Sequence, residues 1–243
     1  MWLMLCEPGD TPALWAVREL QRRGRFSVQV VSGAELARAA SWEHRIVAGK
    51  PSTTIRLADG REISTARVRG VVNRLWQAPT QIAALATGAD RDYITNELTA
   101  LHLSWLGTFP RPVVNRPAPF GFAGPFLSPG HWAGMAAAAG LTPVTTSYSS
   151  EDEPWAFTLP APDTRSCVVI GDGVFGSPLP PALQRGCVAL ARAAGALLLG
   201  IDFVPDGAAL AFATANPLPD FRLAGEAGIA ALAALLEDPG APS

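Results

Sequence analysis

Apolar positions fall along this chain in short continuous runs that alternate with stripes of helical period. The run Trp2-Leu3-Met4-Leu5-Cys6 stops at Glu7-Pro8-Gly9-Asp10, a pattern that predicts a buried first strand. Asp10 or Thr11 then caps a helix with Pro12 in its first turn, and Leu14, Val17 and Leu20 form its apolar stripe up to Gly24. Phe26 to Val31 is the second strand. Strand, helix and strand within roughly 30 residues make a βαβ opening, and the predicted fold class is α/β.

Further along, Thr53–Leu57 and Arg61–Ile63 flank Asp59-Gly60, a strong hairpin signal that reads as decoration on the first sheet. Val68 to Val72 is a strand delivering Asn73-Arg74-Leu75-Trp76-Gln77 to a loop, and open α/β sheets bind ligands at such strand ends. Asp90 to Leu106 predicts a long helix with Ile94, Leu98, Leu101 and Trp105 on its core face, and His102 on it as a structural residue. Pro112 to Pro117 is a short strand ending in Asn115-Arg116, and the loop Ala118 to Phe126 places three phenylalanines among Pro and Gly, either as a lid or as an exposed patch. Ser128 and Gly140 bound another helix, and Leu141 to Val144 is a further strand.

The segment Tyr148 to Pro162 is polar, acidic and proline-bearing, the one candidate linker. After strand Ser166–Ile170, Gly171-Asp172-Gly173-Val174-Phe175-Gly176 matches G-x-G-x-x-G, but it runs into Ser177-Pro178-Leu179-Pro180-Pro181 where a dinucleotide site needs a helix N-terminus. Asp172-Gly173 is instead a hairpin turn. A helix from Pro181 to Ala194 follows. Strands Gly200–Val204 and Ala213–Pro217, joined at Pro205-Asp206-Gly207, then set Asp202 and Asn216 close together at a sheet rim, a layout suited to a nucleotide-bound metal. Leu223 to Glu237 is the last helix.

A chain of 243 residues with 49% hydrophobic content buries a full core in one large or two small domains. Net charge is −2 with scattered basic residues, which argues against nucleic acid as a partner. Lys50 is the only lysine among 19 basic residues, so chemistry demanding two lysines is excluded. The apolar N-terminus has no basic leader and is too short for a signal or a membrane span. Cys6, Cys167 and Cys187 sit in apolar runs, as reduced core thiols of a cytoplasmic protein do, and no metal-ligand spacing links them to His44, His102 or His131. No metal site is expected.

The order of these pieces resembles the ATP-grasp proteins, in particular the RimK-like maturases that modify ribosomally made peptides. The resemblance rests on Val71-Val72-Asn73-Arg74-Leu75-Trp76, the helix with Tyr93, Glu97 and Leu101, Val113-Val114-Asn115-Arg116-Pro117, Ala139-Gly140-Leu141-Thr142-Pro143, and Gly200-Ile201-Asp202-Phe203 with Phe212 to Pro217. It implies a pre-ATP-grasp-like N-terminal domain at 1–147, a linker at 148–165, a reduced ATP-grasp part at 166–238 and a tail at 239–243. It also implies a homodimer.

Departures from that pattern bear on function. Where the family carries the Glu and Asn that ligate Mg²⁺ on ATP, this chain has Thr214 and Asn216, and a hydroxyl replaces the anionic oxygen that Mg²⁺ favours. Arg165 stands one position out of register with the family's arginine. Only about 20 residues connect the strand at 142–146 to that at 166–170, without a lysine, where the family inserts its lysine-bearing ATP-clamp subdomain. These losses remove the electrostatic supports of phosphoryl activation. Asp202, Thr214 and Asn216 become vestigial metal positions, and neither ATP nor another cofactor is expected.

Truncated ATP-grasp-like proteins occur in peptide natural-product pathways, the crocagin type among them, and the resemblance implies binding of a precursor peptide. The expected function is a pseudoenzyme that captures that peptide, presents it to a partner modifying enzyme, or assists its cyclisation by orientation. The alternative is a minimal ATP-dependent ligase acting on a peptide. A third class, an enzyme of unrelated chemistry, finds no Ser-His-Asp or Cys-His constellation. Arg74, Trp76, Asn115 and Arg116 are the expected peptide-binding residues, with Phe120 and Phe122 as apolar contacts, because Arg pairs with carboxylates and aromatic rings bury anchors.

Overall fold

The structure is a computed structural model that describes residues 1–24, 27–145 and 163–237. It opens with β1 (Trp2–Leu5), α1 (Thr11–Arg22) and β2 (Val28–Val31), the two strands parallel. Asp10 is the cap, its Oδ1 accepting the Ala13 N–H at 3.0 Å. Phe26, expected in the second strand, lies outside the described residues. The short α2 (Gly33–Ala37) starts from a capping box between Ser32 and Glu35.

Next come β3 (Ser41–Val47), β4 (Lys50–Arg56) and β5 (Glu62–Ser64), an antiparallel sheet of their own. The hairpin at Asp59-Gly60 forms and packs on the first sheet through Ile55, Leu57 and Ile63, but it also pairs with β3, which was not expected. The β3–β4 turn is Ala48-Gly49, with φ of 50° and 74°. Two positive φ values are what a tight hairpin demands, and an alanine at the first position hides the signal that Asn, Asp or Gly would give.

Then follow β6 (Val71–Asn73), a 3₁₀ turn at Gln81–Leu85, α3 (Gly88–Gly107), β7 (Val113–Val114) and α4 (Pro129–Ala138). The stretch at 141–144 is not a strand. Pro143 makes a single parallel bridge to Phe212, because Pro143 itself has no N–H to extend a ladder and the run is short. After the undescribed 146–162, which hold most of the expected linker, come β8 (Arg165–Ile170), β9 (Gly173–Gly176), α5 (Pro181–Ala193), β10 (Leu198–Asp206), β11 (Ala209–Asn216) and α6 (Phe221–Glu237). The G-x-G-x-x-G match is a hairpin, with Ile170 opposite Gly173 and Gly171 at φ 57°. The β10–β11 turn sits at Gly207-Ala208, later than expected, since Pro205 and Asp206 still pair with Leu210 and Ala209. The expected tail at 239–243 lies outside the described residues.

Two four-stranded sheets result, a parallel one ordered β2-β1-β6-β7 and an antiparallel one ordered β11-β10-β8-β9. Alternation along each strand assigns their faces. Trp2, Met4, Val72 and Val114 join Val168, Ile170 and Leu198 in one core with α1 and α6, so these two helices lie between the sheets. Leu3, Leu5, Val71 and Val113 face α3 and the small sheet. Val169, Leu199, Ile201 and Phe203 face α4 and α5. No helix among the described residues is long and apolar enough to cross a membrane.

Candidate functional site

The parallel strands β6 and β7 pair Val71 with Val113 and Val72 with Val114, so two Val-Val-Asn-Arg segments end side by side. The polar residues they deliver turn inward. Asn73 is fully buried, and its Nδ2 donates to the Phe122 carbonyl at 2.6 Å and the Asn115 carbonyl at 3.3 Å. Arg74 is 5% exposed, and its guanidinium binds both Asp10 oxygens at 2.7 and 3.1 Å, donates to the Pro219 carbonyl at 2.9 Å and lies 5.0 Å over the Phe221 ring. Asn115, at φ 58°, donates to the carbonyls of Leu198 and Pro217 at 2.9 and 2.8 Å and accepts the Leu198 N–H at 3.1 Å. Arg116 places its guanidinium on the carbonyls of Leu106, Gly107, Phe109 and Arg111, closing the C-terminal end of α3. Burial pushes its pKa down. Of these four residues Arg74, Asn115 and Arg116 were expected as peptide contacts, and all four bind internal carbonyls or, for Arg74, the Asp10 carboxylate as well. Arg74, Asn115 and Arg116 therefore hold the fold rather than present free donors at the sheet edge.

Trp76 and Phe120 do stand outside, at 61% and 69% exposure. Phe120 occupies a turn in which Ala118 and Gly121 exchange backbone hydrogen bonds of 2.8 and 3.1 Å, with Pro119 pre-setting the bend. Gly121 is needed there, since a Cβ would run into the Gly124 carbonyl oxygen and the Phe126 ring. Trp76 packs edge-on to Phe126 at 6.0 Å. Between the Trp76 loop, the Phe120 turn and α3 opens a cavity of about 380 Å³, bounded by Trp76, Gln77, Thr80, Thr99, Leu103 and Phe122. Phe122, 7% exposed, contributes its wall from below, and so the loop carrying the phenylalanines divides between lid and patch. The cleft is open, and its walls mix the Trp76 and Phe122 rings and Leu103 with polar Gln77, Thr80 and Thr99, a make-up that can seat one side chain.

Thr99 and Leu103 were not among the expected residues. The available signal was Leu103 itself, an apolar side chain off the Ile94-Leu98-Leu101-Trp105 stripe and 40% exposed. That stripe is also less buried than its period predicts: Trp105 is enclosed, whereas Ile94, Leu98 and Leu101 are half-buried. His102 is enclosed, its Nδ1 donating to the Leu98 carbonyl at 2.7 Å, and burial lowers its pKa.

On the second sheet, Asp202 lies opposite Thr214, and Asn216 opposite Gly200, so the three expected positions share one face. A bulge at Ala213 shifts the register beyond them. Asp202 is half-buried while Thr214 and Asn216 are exposed, and the Asn216 Oδ1 is taken by the Leu218 N–H at 2.8 Å. One carboxylate, a hydroxyl and an engaged amide do not fit Mg²⁺ on a triphosphate, which favours several anionic oxygens in strict geometry. Among the described residues no three His, Cys, Asp or Glu side chains come together as a metal-binding group. All three cysteines are buried thiols, and burial pushes that of Cys6 up to about 12, far from a reactive thiolate.

No protein-family model and no curated protein matches the sequence. Solved structures do. A RiPP-associated ATP-grasp ligase from Chryseobacterium gregarium, in complex with ADP and a leader and core peptide, aligns with a TM-score of 0.73 at 12% identity over 96% of this chain and 95% of that one. The macrocyclase MdnC from Microcystis aeruginosa, bound with the precursor peptide MdnA, aligns with a TM-score of 0.71 at 11% identity over 97% and 99%. The ATP-grasp ligase PsnB, with minimal precursor, Mg and ADP, aligns with a TM-score of 0.67 at 16% identity over 97% and 98%. With its α/β layers matched along nearly the whole of these ligases, the chain has an ATP-grasp-like fold.

Proposed function

We propose that this protein binds a ribosomally made precursor peptide without using ATP, and presents it to a partner modifying enzyme or assists its cyclisation by holding reacting groups together. The observation that carries this reading is the open cleft beside the exposed Trp76 and Phe120, at the carboxyl edge of the parallel sheet. Support comes from structures of the same fold that were solved with leader, core or precursor peptides. Against nucleotide use stand Thr214 in place of a carboxylate and the absence of any lysine but Lys50. A reduced ATP-grasp part lacking the clamp, with 1–147 as the N-terminal domain and 166–238 as the C-terminal part, belongs to this proposal, as do a homodimer and a cytoplasmic setting.

The test is calorimetric titration with candidate precursor peptides, any short peptides that neighbouring genes encode among them. Micromolar binding unchanged by ATP and Mg²⁺ is expected, and absence of peptide binding would reject the proposal. A second reading, a minimal ATP-dependent peptide ligase, draws on alignment along nearly the full length of nucleotide-bound ligases. Clear binding of a nonhydrolysable ATP analogue with Mg²⁺ would favour that reading over ours.

A further inference from the structure

Exposed apolar surface is unevenly distributed on this molecule. Among the described residues nine large apolar side chains are well exposed: Trp76 and Leu103 line the cleft, Phe120 stands on its adjoining turn, and Ile82, Leu85 and Tyr93 lie nearby in the chain on the 3₁₀ turn and α3. Scattered single exposures need no explanation, but a concentration of this kind marks an interaction surface.

Charge on the same segments is one-sided. From Trp76 to Leu103 the charged residues are Asp90, Arg91, Asp92 and Glu97, all exposed. The Arg91 Nε donates to the Ala86 carbonyl at 3.1 Å. None of the three carboxylates has a hydrogen bond or ion pair among the described residues. Asp92, Thr99 and Leu103 stand at i, i+7 and i+11 of α3, a spacing that puts them on one stripe of the helix. Thr99 and Leu103 wall the cleft, so Asp92 marks the far end of the same track. Eleven helical residues span about 16 Å, the reach of about five residues of extended chain.

Resting on the reading that this protein binds peptides, we propose the class of segment this surface takes: an apolar or aromatic anchor seated between Trp76, Leu103 and Phe122, with a Lys or Arg about five residues away paired to Asp92. The anchor supplies affinity by packing against the Trp76 and Phe122 rings and Leu103. The cation supplies direction and register, because an unpaired carboxylate at one end of the track favours a positive side chain there and disfavours a negative one.

The experiment is selection of a displayed library of random dodecapeptides on the full chain and on its Asp92→Lys, Asp92→Asn and Trp76→Ala variants, each first shown to melt like the parent. Selected sequences are expected to combine Leu, Phe or Trp with Lys or Arg about five positions away. A synthetic consensus peptide should bind about tenfold more tightly than its Lys→Glu counterpart at low salt, with Asp92→Lys reversing that order and Trp76→Ala abolishing enrichment. Enriched peptides without a charge bias, or with a bias that Asp92→Lys leaves unchanged, overturn this proposal while peptide binding stands. No enrichment on the parent chain overturns both.

Discussion

Arg74 and Trp76 stand two positions apart in the chain, one facing inward and one outward. The Arg74–Asp10 pair is nearly closed to solvent, at 4% and 14% side-chain exposure. Removing one partner of such a pair strands the other charge, so Arg74→Ala should cost about 3 kcal/mol in urea unfolding. Trp76→Ala should leave stability within about 0.5 kcal/mol, since the ring is mostly solvated. It should nonetheless weaken precursor-peptide binding by tenfold or more, about 1.4 kcal/mol, measured by the same calorimetry. The sequence located polar and aromatic residues at the ends of β6 and β7. It did not tell which of them point inward, because Arg74 and Trp76 both follow a buried strand and differ only in what distant chain, Pro219 and Phe221, comes to meet them.

Among the elements, the small sheet and α3 illustrate how local signals succeed and fail. Asp59-Gly60 announced its hairpin, whereas Ala48-Gly49 did not. Alanine in the left-handed region costs about 1 kcal/mol, and Ala48→Asn should recover a comparable amount, seen as a rise in melting temperature. The sheet docks on α3 through imidazoles: His44 Nδ1 and Nε2 bond the Thr53 and Ser104 hydroxyls at 2.8 and 3.0 Å, and His102 packs edge-on to Trp42 at 4.7 Å. Burial lowers the pKa of both histidines below the ordinary imidazole value of about 6.5. The unfolded chain then takes up protons at higher pH than the folded one, so their contribution is complete above pH 6.5 and is lost as pH falls below it. The melting temperature should drop between roughly pH 7.5 and 5.5, and His102→Gln should flatten that slope even if it lowers stability throughout.

For the whole molecule, Asn115 is the point where the two large sheets are tied, through Leu198 and Pro217. Asn115→Ala leaves three backbone groups without this partner and puts alanine at φ 58°, and should cost about 3 kcal/mol or more by denaturant titration. The βαβ opening, the hairpin at Asp59-Gly60, a hairpin within Gly171–Gly176 with its turn one residue earlier than Asp172-Gly173, and the cap at Ser128 were determined by the sequence alone. Period, turn chemistry and capping act within a few residues, and a linear pattern records them. The placement of α1 and α6 between the sheets, the burial of Arg74 and Asn115, and the cleft walled by Leu103 and Thr99 were decided only in the tertiary structure. Those features depend on partners far apart in sequence, 42 residues for Asn73 with Asn115, 83 for Asn115 with Leu198 and 145 for Arg74 with Pro219, and side-chain direction at a strand end is set by what packs against it.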